Sequence, residues 1–196
     1  MNSQPSIPNR RPQTFSGKAI SLSHISLAGI LLALGILLPV AFHALNIGGT
    51  VFLPMHFPVL LGGFFLPWGI SGLVGLLCPL LSFLFTSMPP LPVLFPMMGE
   101  LLVYGVCSSI AFRNWKWGIF PSLLFSMVLG RFASIFFNWL VLEIISGKTL
   151  DFSQLAWTLF VIGLPGILIQ LALIPLIVKA VLKEPNLFRS WGPRRI

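Results

Sequence analysis

Residues Val51 to Phe85 read VFLPMHFPVLLGGFFLPWGISGLVGLLCPLLSFLF and contain no Asp, Glu, Lys or Arg. As one continuous helix this stretch would be about 52 Å long, which exceeds the ~30 Å hydrocarbon core of a bilayer. Proline disfavours helix at the residue before it, so Leu66-Pro67-Trp68 predicts a turn. We therefore predict two membrane spans here, a short one over Leu53–Leu66 and a longer one over Trp68–Phe85.

The lack of charge extends far beyond this stretch. No Asp, Glu, Lys or Arg occurs in residues 19–99, and only 8% of the 196 residues are charged, whereas 56% are hydrophobic. A soluble domain has about 25% charged residues, so this composition excludes a solvated globular surface. Apolar runs of about 20 residues are long enough to span a bilayer as helices. The sequence thus predicts an all-α integral membrane protein.

Apolar runs elsewhere in the chain complete the count of spans. We predict six transmembrane helices, of which the remaining four cover Ile25–Leu45, Val93–Phe112, Gly118–Ile145 and Phe152–Leu182. The six-helix membrane domain then occupies residues 19–183. Residues 1–18 are basic and rich in Pro and Ser, which predicts a disordered tail. Residues 184–196 form a second basic tail, predicted to be cytoplasmic.

The distribution of positive charge favours this count. With a cytoplasmic N-terminus, six spans place ten of the twelve Lys and Arg residues in the cytoplasm, as the positive-inside rule requires. A single span over Val51–Phe85 would instead place Arg113 and Lys116 outside. We therefore predict that both termini are cytoplasmic. In a soluble protein the net charge of +8 would suggest binding to nucleic acid. Here the topology explains the positive charge, so we predict no nucleic-acid partner.

Two ionisable residues lie well inside predicted spans, where such residues are functional-site hypotheses by default. Glu100 shares a helix face with Tyr104 at i+4, and Arg131 shares one with Ser134 and Asn138 at i+3 and i+7. Both stripes fall in the outer halves of consecutive antiparallel spans, so they predict a polar cavity open to the outside. The alternative interpretation is a Glu100–Arg131 pair that only joins the two helices. If both face one pocket, they suit a zwitterionic or carboxylate-bearing ligand.

The other polar residues give fewer signals. His56 follows the first predicted outer loop, from which it can face the same cavity. No Cys and His residues have the spacing of metal ligands, and no intramembrane-protease or nucleotide-binding motif is present. We predict no metal, no cofactor and no catalytic residues. In the first span, Gly29 and Ala33 form a small-xxx-small step that permits close helix approach, either within the chain or to a partner.

Five motifs occur in series along the chain, namely ALGILLP at 33–39, FLPMHFPVLLG at 52–62, LLCPLL at 76–81, SMPPLP at 87–92 and MMGELLVYG at 97–105. This series resembles the substrate-binding (S) components of bacterial energy-coupling factor (ECF) transporters. The resemblance extends over roughly residues 25–182. It implies a six-helix subunit of the bacterial cell membrane that binds a vitamin or related micronutrient outside the cell.

The resemblance also implies partners and a location for the site. Members of this family associate with a transmembrane T component and two ATP-binding subunits, whose ATP hydrolysis drives release of the substrate inside. The pocket lies between outer loops and the outer halves of spans four to six, which adds Met55 and His56 to Glu100, Tyr104, Arg131, Ser134 and Asn138. Docking to the T component would fall to Gly29 and Ala33. The residues alone leave open an integral-membrane enzyme acting on a lipid-like substrate, or a scaffolding membrane protein, and they do not name the vitamin.

Overall fold

The computed structural model describes residues 22–45, 49–145, 147, 149 and 151–183. The regular structure of these residues is entirely helical. In chain order the helices are α1 (Leu22–Ala44), α2 (Gly49–Phe52), α3 (His56–Phe65), α4 (Trp68–Thr86), α5 (Leu91–Ser109), α6 (Ile119–Trp139), α7 (Phe152–Ala156) and α8 (Leu164–Lys183). Helices α5, α6 and α7 continue as π-helical turns over Ile110–Asn114, Leu140–Ile145 and Trp157–Ile162. Both predicted tails, residues 1–18 and 184–196, lie outside the described residues.

Five helices of the described chain are long and apolar enough to cross a membrane. They are Leu22–Ala44, Trp68–Thr86, Leu91–Asn114, Ile119–Glu143 and Leu164–Lys183. Four of them match predicted spans within a few residues, because each combines an apolar run of about 20 residues with a proline or polar boundary. The all-helical membrane fold is thus confirmed.

The second and sixth predicted spans differ from the structure. The second, Leu53–Leu66, contains helix only over His56–Phe65, because Leu53 adopts a left-handed backbone with φ 51°. The sixth, Phe152–Leu182, is divided at Gly163, ahead of Leu164-Pro165. Pro165 has no N–H to donate to the preceding turn, so it is suited to the first turn of a new helix rather than to the interior of a long one.

Helices α4, α5 and α6 pack side by side in the centre of the bundle. Glycines allow the closest contact, because a Cβ at Gly105 would overlap the carbonyl oxygen of Ser71, and one at Gly75 would overlap that of Leu101. Small residues at such positions let two membrane helices approach until their backbones touch. The α4–α5 contact is therefore specified by residue size rather than by polar groups.

Helix α3 extends through only part of the bundle. Its first residue, His56, lies beside Glu100 of α5. The end of α3 lies beside residues near the end of α5 and in the π-helical turn that continues it. There Arg113 Nη1 donates to the Phe65 carbonyl at 2.9 Å, and Ser109 Oγ donates to the Leu66 carbonyl at 2.8 Å. Helices α3 and α5 therefore run in the same direction. Ten helical residues extend about 15 Å, roughly half of a hydrocarbon core, and the space beyond His56 is where the cavity lies.

Candidate functional site

A cavity of about 760 Å³ lies beyond the start of α3. This volume is within the ~300–1,000 Å³ typical of small-molecule sites. Most of its wall is apolar and includes Met55, Val93, Pro96, Met97, Leu142, Leu155 and Leu159. Three side chains, those of His56, Glu100 and Arg131, form what we call the cavity floor. The arrangement is that of a binding pocket with an apolar wall and a polar base.

The backbone ahead of α3 positions one side of the floor. The Leu53 carbonyl accepts hydrogen bonds from the His56 backbone N–H at 3.1 Å and from Gln170 Nε2 at 3.3 Å. These bonds attach the non-helical residues 53–55 to α8. As a result Met55 and His56 are both buried at the cavity.

The polar groups of the floor converge on one carboxylate oxygen. Glu100 Oε1 lies 3.0 Å from Arg131 Nη1 and 3.4 Å from His56 Nε2, and it accepts a hydrogen bond from the Tyr104 hydroxyl at 2.8 Å. Each of these four residues is at most 5% exposed. Removing one partner from a buried ion pair is costly, since the other charge is left uncompensated. The cluster therefore holds α3, α5 and α6 together at the level of the floor.

The pairing leaves polar atoms of the floor unsatisfied. Within the described part of the chain, Arg131 Nη2 and His56 Nδ1 are buried and have no hydrogen-bond partner, and His56 Nε2 has only its 3.4 Å contact with Glu100 Oε1. The missing side chain of Gly163 keeps space open here, since a Cβ there would lie 3.4 Å from Arg131 Nη2. A buried unsatisfied donor costs about 1–3 kcal/mol, so a partner supplied from the cavity would be stabilising.

The structure brings six of the seven sequence-predicted residues to the cavity. Met55, His56, Glu100, Arg131, Ser134 and Asn138 all line it. Tyr104 does not; it lies one helical turn below Glu100, is 1% exposed and packs against Gly130, where a Cβ would overlap its ring. Tyr104 thus supports the carboxylate from beneath instead of facing a ligand.

Sequence reasoning missed three further polar residues of the cavity wall. Asp151, Gln154 and Thr158 also line the cavity, and they extend from the residue before α7 to the π-helical turn that continues it. Their i, i+3, i+7 spacing is the same single-face pattern that identified Arg131, Ser134 and Asn138, so the signal was present in the sequence. The backbone N–H groups of Gln154 and Ser153 donate to the Asp151 carboxylate and keep its pKa below the usual value. Asp151 therefore adds a negative charge to this wall at neutral pH.

The small-residue step of α1 faces away from the cavity and the core. Gly29 and Ala33 are exposed, and a Cβ at Gly29 would have no neighbour within 4 Å. Gly35 on the same helix faces inward, where a Cβ would overlap the Cys78 sulfur. Of the two interpretations of the step, internal packing applies to Gly35 but not to Gly29 and Ala33.

Comparison with known proteins gives a match to one family. The profile described as "ECF transporter, substrate-specific component" matches residues 24–182. Searches among curated proteins and solved structures gave no match. Among the described residues, no group of three or more His, Cys, Asp or Glu side chains could hold a metal ion.

The matched family is a transporter component rather than an enzyme, and it implies T and ATPase components as partners. Together with five apolar helices, the match makes the chain a multi-pass protein of the cell membrane. The matched residues extend from the first turn of α1 to the last of α8 and include the whole cavity floor. The chain belongs to the family of substrate-specific components of ECF transporters.

Proposed function

We propose that the cavity is the substrate site of this binding subunit, and that it captures a vitamin or related micronutrient outside the cell for ATP-driven uptake by partner subunits. One observation carries the proposal. Arg131 lies at the floor of an apolar cavity of vitamin-accommodating size, and its Nη2 has no partner within the described chain. A buried cation is expensive in a membrane, where translocon-derived scales assign about 2.5–3.5 kcal/mol to it. A structural pair would need only the Nη1–Glu100 contact, whereas a ligand site also uses the second nitrogen.

We further propose six membrane crossings with both termini in the cytoplasm. Five long helices and the shorter α3 alternate in direction if α3 and residues 53–55 together make the second crossing. The cavity then opens outward, and Arg113 and Lys116 lie on the inner side, in agreement with the charge distribution. In a cysteine-free background, Ser87→Cys should react with an impermeant thiol reagent on intact cells and Lys116→Cys should not. Labelling of position 116 on intact cells would contradict the topology.

The exposed face of α1 is the proposed docking site for the T component. Gly29 and Ala33 present almost no side-chain bulk on the bundle surface, so a partner helix can approach closely. The ATP-binding subunits would then act on this chain through the T component.

Native mass spectrometry of the detergent-purified chain tests the substrate site. We expect one retained small molecule per chain. Gly163→Met places a side chain between Leu53 and Arg131 and should abolish retention. Gly69→Met, at an exposed glycine with no neighbour within 4 Å of its Cβ, is the matched control and should retain the molecule. A wild-type chain that retains only lipid, or equal retention by Gly163→Met, would contradict the proposal.

A further inference from the structure

Charge balance at the floor restricts what the cavity can bind. Arg131 already contacts the carboxylate of Glu100 at 3.0 Å, so its positive charge is compensated. Among the Asp, Glu, Lys and Arg residues of the described lining, Glu100 at the floor and the exposed Asp151 outside it are negative, and Arg131 is positive. A ligand carboxylate placed on Arg131 Nη2 would stand close to Glu100, and like charges in a buried site repel strongly. Of the zwitterionic and carboxylate-bearing ligands that the residue types alone suggest, the geometry therefore disfavours one that presents only a carboxylate to the floor.

The floor instead offers both hydrogen-bond donors and an acceptor. Within the described chain, Arg131 Nη2 and His56 Nδ1 have no partner, and His56 Nε2 makes no hydrogen bond but lies 3.4 Å from Glu100 Oε1. A neutral imidazole ring has one donor and one acceptor nitrogen. The three contacts of Glu100 share Oε1, so Oε2 of this cavity-lining carboxylate takes no part in them. A complementary group must supply an acceptor for Arg131 and a donor for the carboxylate or the imidazole. A primary amide, or an N–H beside C=O in a ring, does both while remaining uncharged.

We infer that the substrate inserts a neutral amide or lactam group into the cavity floor, with its oxygen on Arg131 Nη2 and its N–H on Glu100 or His56. This inference rests on the proposed substrate site and specifies its chemistry. The remainder of the molecule lies against the apolar wall, and any basic substituent lies near Asp151.

Benzamide and benzoate form a matched probe pair, since they have the same ring and differ in charge and in the amide donor. Methyl benzoate is a third probe with an acceptor but no donor. Each can be titrated against the purified chain by displacement of the co-purified molecule or by thermal shift. Because hydrogen bonds to charged groups are strong, we expect benzamide to bind about tenfold or more tightly than either of the others.

Glu100→Gln should change the affinities for benzamide and benzoate in opposite directions. An amide ligand loses its charged acceptor in this variant, so benzamide should bind more weakly. Benzoate loses a repulsive neighbour, so it should bind more tightly, and the preference should shrink or reverse. Ser126→Ala is the control, because Ser126 is buried on α6 outside the cavity and bonds only the Leu123 carbonyl of its own helix. It should leave the probe preference unchanged.

The outcomes separate this inference from the proposed function. The amide assignment is overturned if benzoate binds the wild-type chain more tightly than benzamide does. It is also overturned if neither probe has an effect on a chain that does retain a small molecule. Neither result contradicts the proposed substrate site. The amide assignment is also overturned if folded Glu100→Gln prefers benzamide over benzoate as strongly as the wild type does. If that variant does not fold, the comparison of the two probes on the wild-type chain decides the assignment. A wild-type chain that retains no small molecule contradicts the proposed function itself.

Discussion

The cavity floor and the α4–α5 contact lie in the same bundle but are built on opposite principles. At the α4–α5 contact, Gly75 and Gly105 bring backbone against backbone, and no charged group takes part. At the floor, short α3 leaves space that side chains fill only in part. There the Glu100–Arg131 ion pair joins α5 to α6, and the His56 ring of α3 lies 3.4 Å from the same carboxylate oxygen. In lipid, small residues are enough where helices only need to pack. The buried charges Glu100 and Arg131 lie instead at the cavity, where the helices leave space between them.

The two regions also differ in the polar groups that they leave without hydrogen-bond partners. The α4–α5 contact is closed by packing, and among its described residues the Ser71 hydroxyl, an uncharged group, is left without a hydrogen-bond partner. The floor instead leaves a nitrogen of a charged guanidinium, Arg131 Nη2, and the ring nitrogen His56 Nδ1 without a hydrogen-bond partner in the described chain, and these atoms lie beside an open cavity. Substitutions should therefore affect the two regions in different ways, the floor through charge and the α4–α5 contact through volume.

The largest effect on stability should come from removing one charge of the floor. Arg131→Met leaves Glu100 buried at 4% exposure without its cation, and such a change costs about 3–5 kcal/mol. Unfolding of the purified chain in detergent should show this loss. The double variant Arg131→Met with Glu100→Gln removes both charges and should recover most of it. A single variant as stable as the wild type would show that the pair is not buried as described.

A smaller loss should follow from added volume at the α4–α5 contact. Gly105→Leu forces a side chain against the Ser71 carbonyl, and overpacking of this kind costs about 1–3 kcal/mol. Gly69→Leu, on α4 with no neighbour within 4 Å of its Cβ, should be close to neutral in the same unfolding measurement. Equal stability of the two variants would contradict the backbone contact.

The smallest effect on stability should come from the exposed face of α1. Gly29→Leu with Ala33→Leu adds bulk where the bundle has none, so the free energy of unfolding should change by about 0.5 kcal/mol or less. Co-purification with the T component and ATP-binding subunits should nevertheless be lost, while the co-purified small molecule is retained. Gly69→Leu serves again as the exposed control. Intact assembly of the double variant would place the docking surface elsewhere.

Sequence patterns predicted the parts of the molecule that depend on short-range rules. Apolar runs of span length predicted α1, α4, α5 and α6, since a helix must cross a core of fixed thickness. Helix-face spacing predicted that Glu100 and Arg131 share a cavity, and the structure places them 3.0 Å apart. These inferences need only the period of one helix and the direction of its neighbour.

What the sequence left undetermined depends on tertiary contacts. The late start of α3 accompanies the left-handed backbone of Leu53, whose carbonyl accepts a hydrogen bond from Gln170, a residue 117 positions away. The position of Tyr104 below the floor depends on the space at Gly130 of another helix. The wall residues Gln154 and Thr158 were missed because their segment was treated as part of a continuous span, whose break at Gly163 was not predicted. Asp151 lies just before that predicted span and was not connected with the cavity.

Substrate affinity in the charge-neutral double variant tests the central claim most directly. Arg131→Met with Glu100→Gln leaves no uncompensated buried charge, so a folded protein can be compared with the wild type. The measurement is the dissociation constant of the co-purified molecule, with unfolding temperature as the check on folding. If Arg131 binds the substrate, affinity should fall roughly 10- to 100-fold, as for a lost hydrogen bond to a charged group. Unchanged affinity in a well-folded double variant would show that the pair only joins α5 to α6.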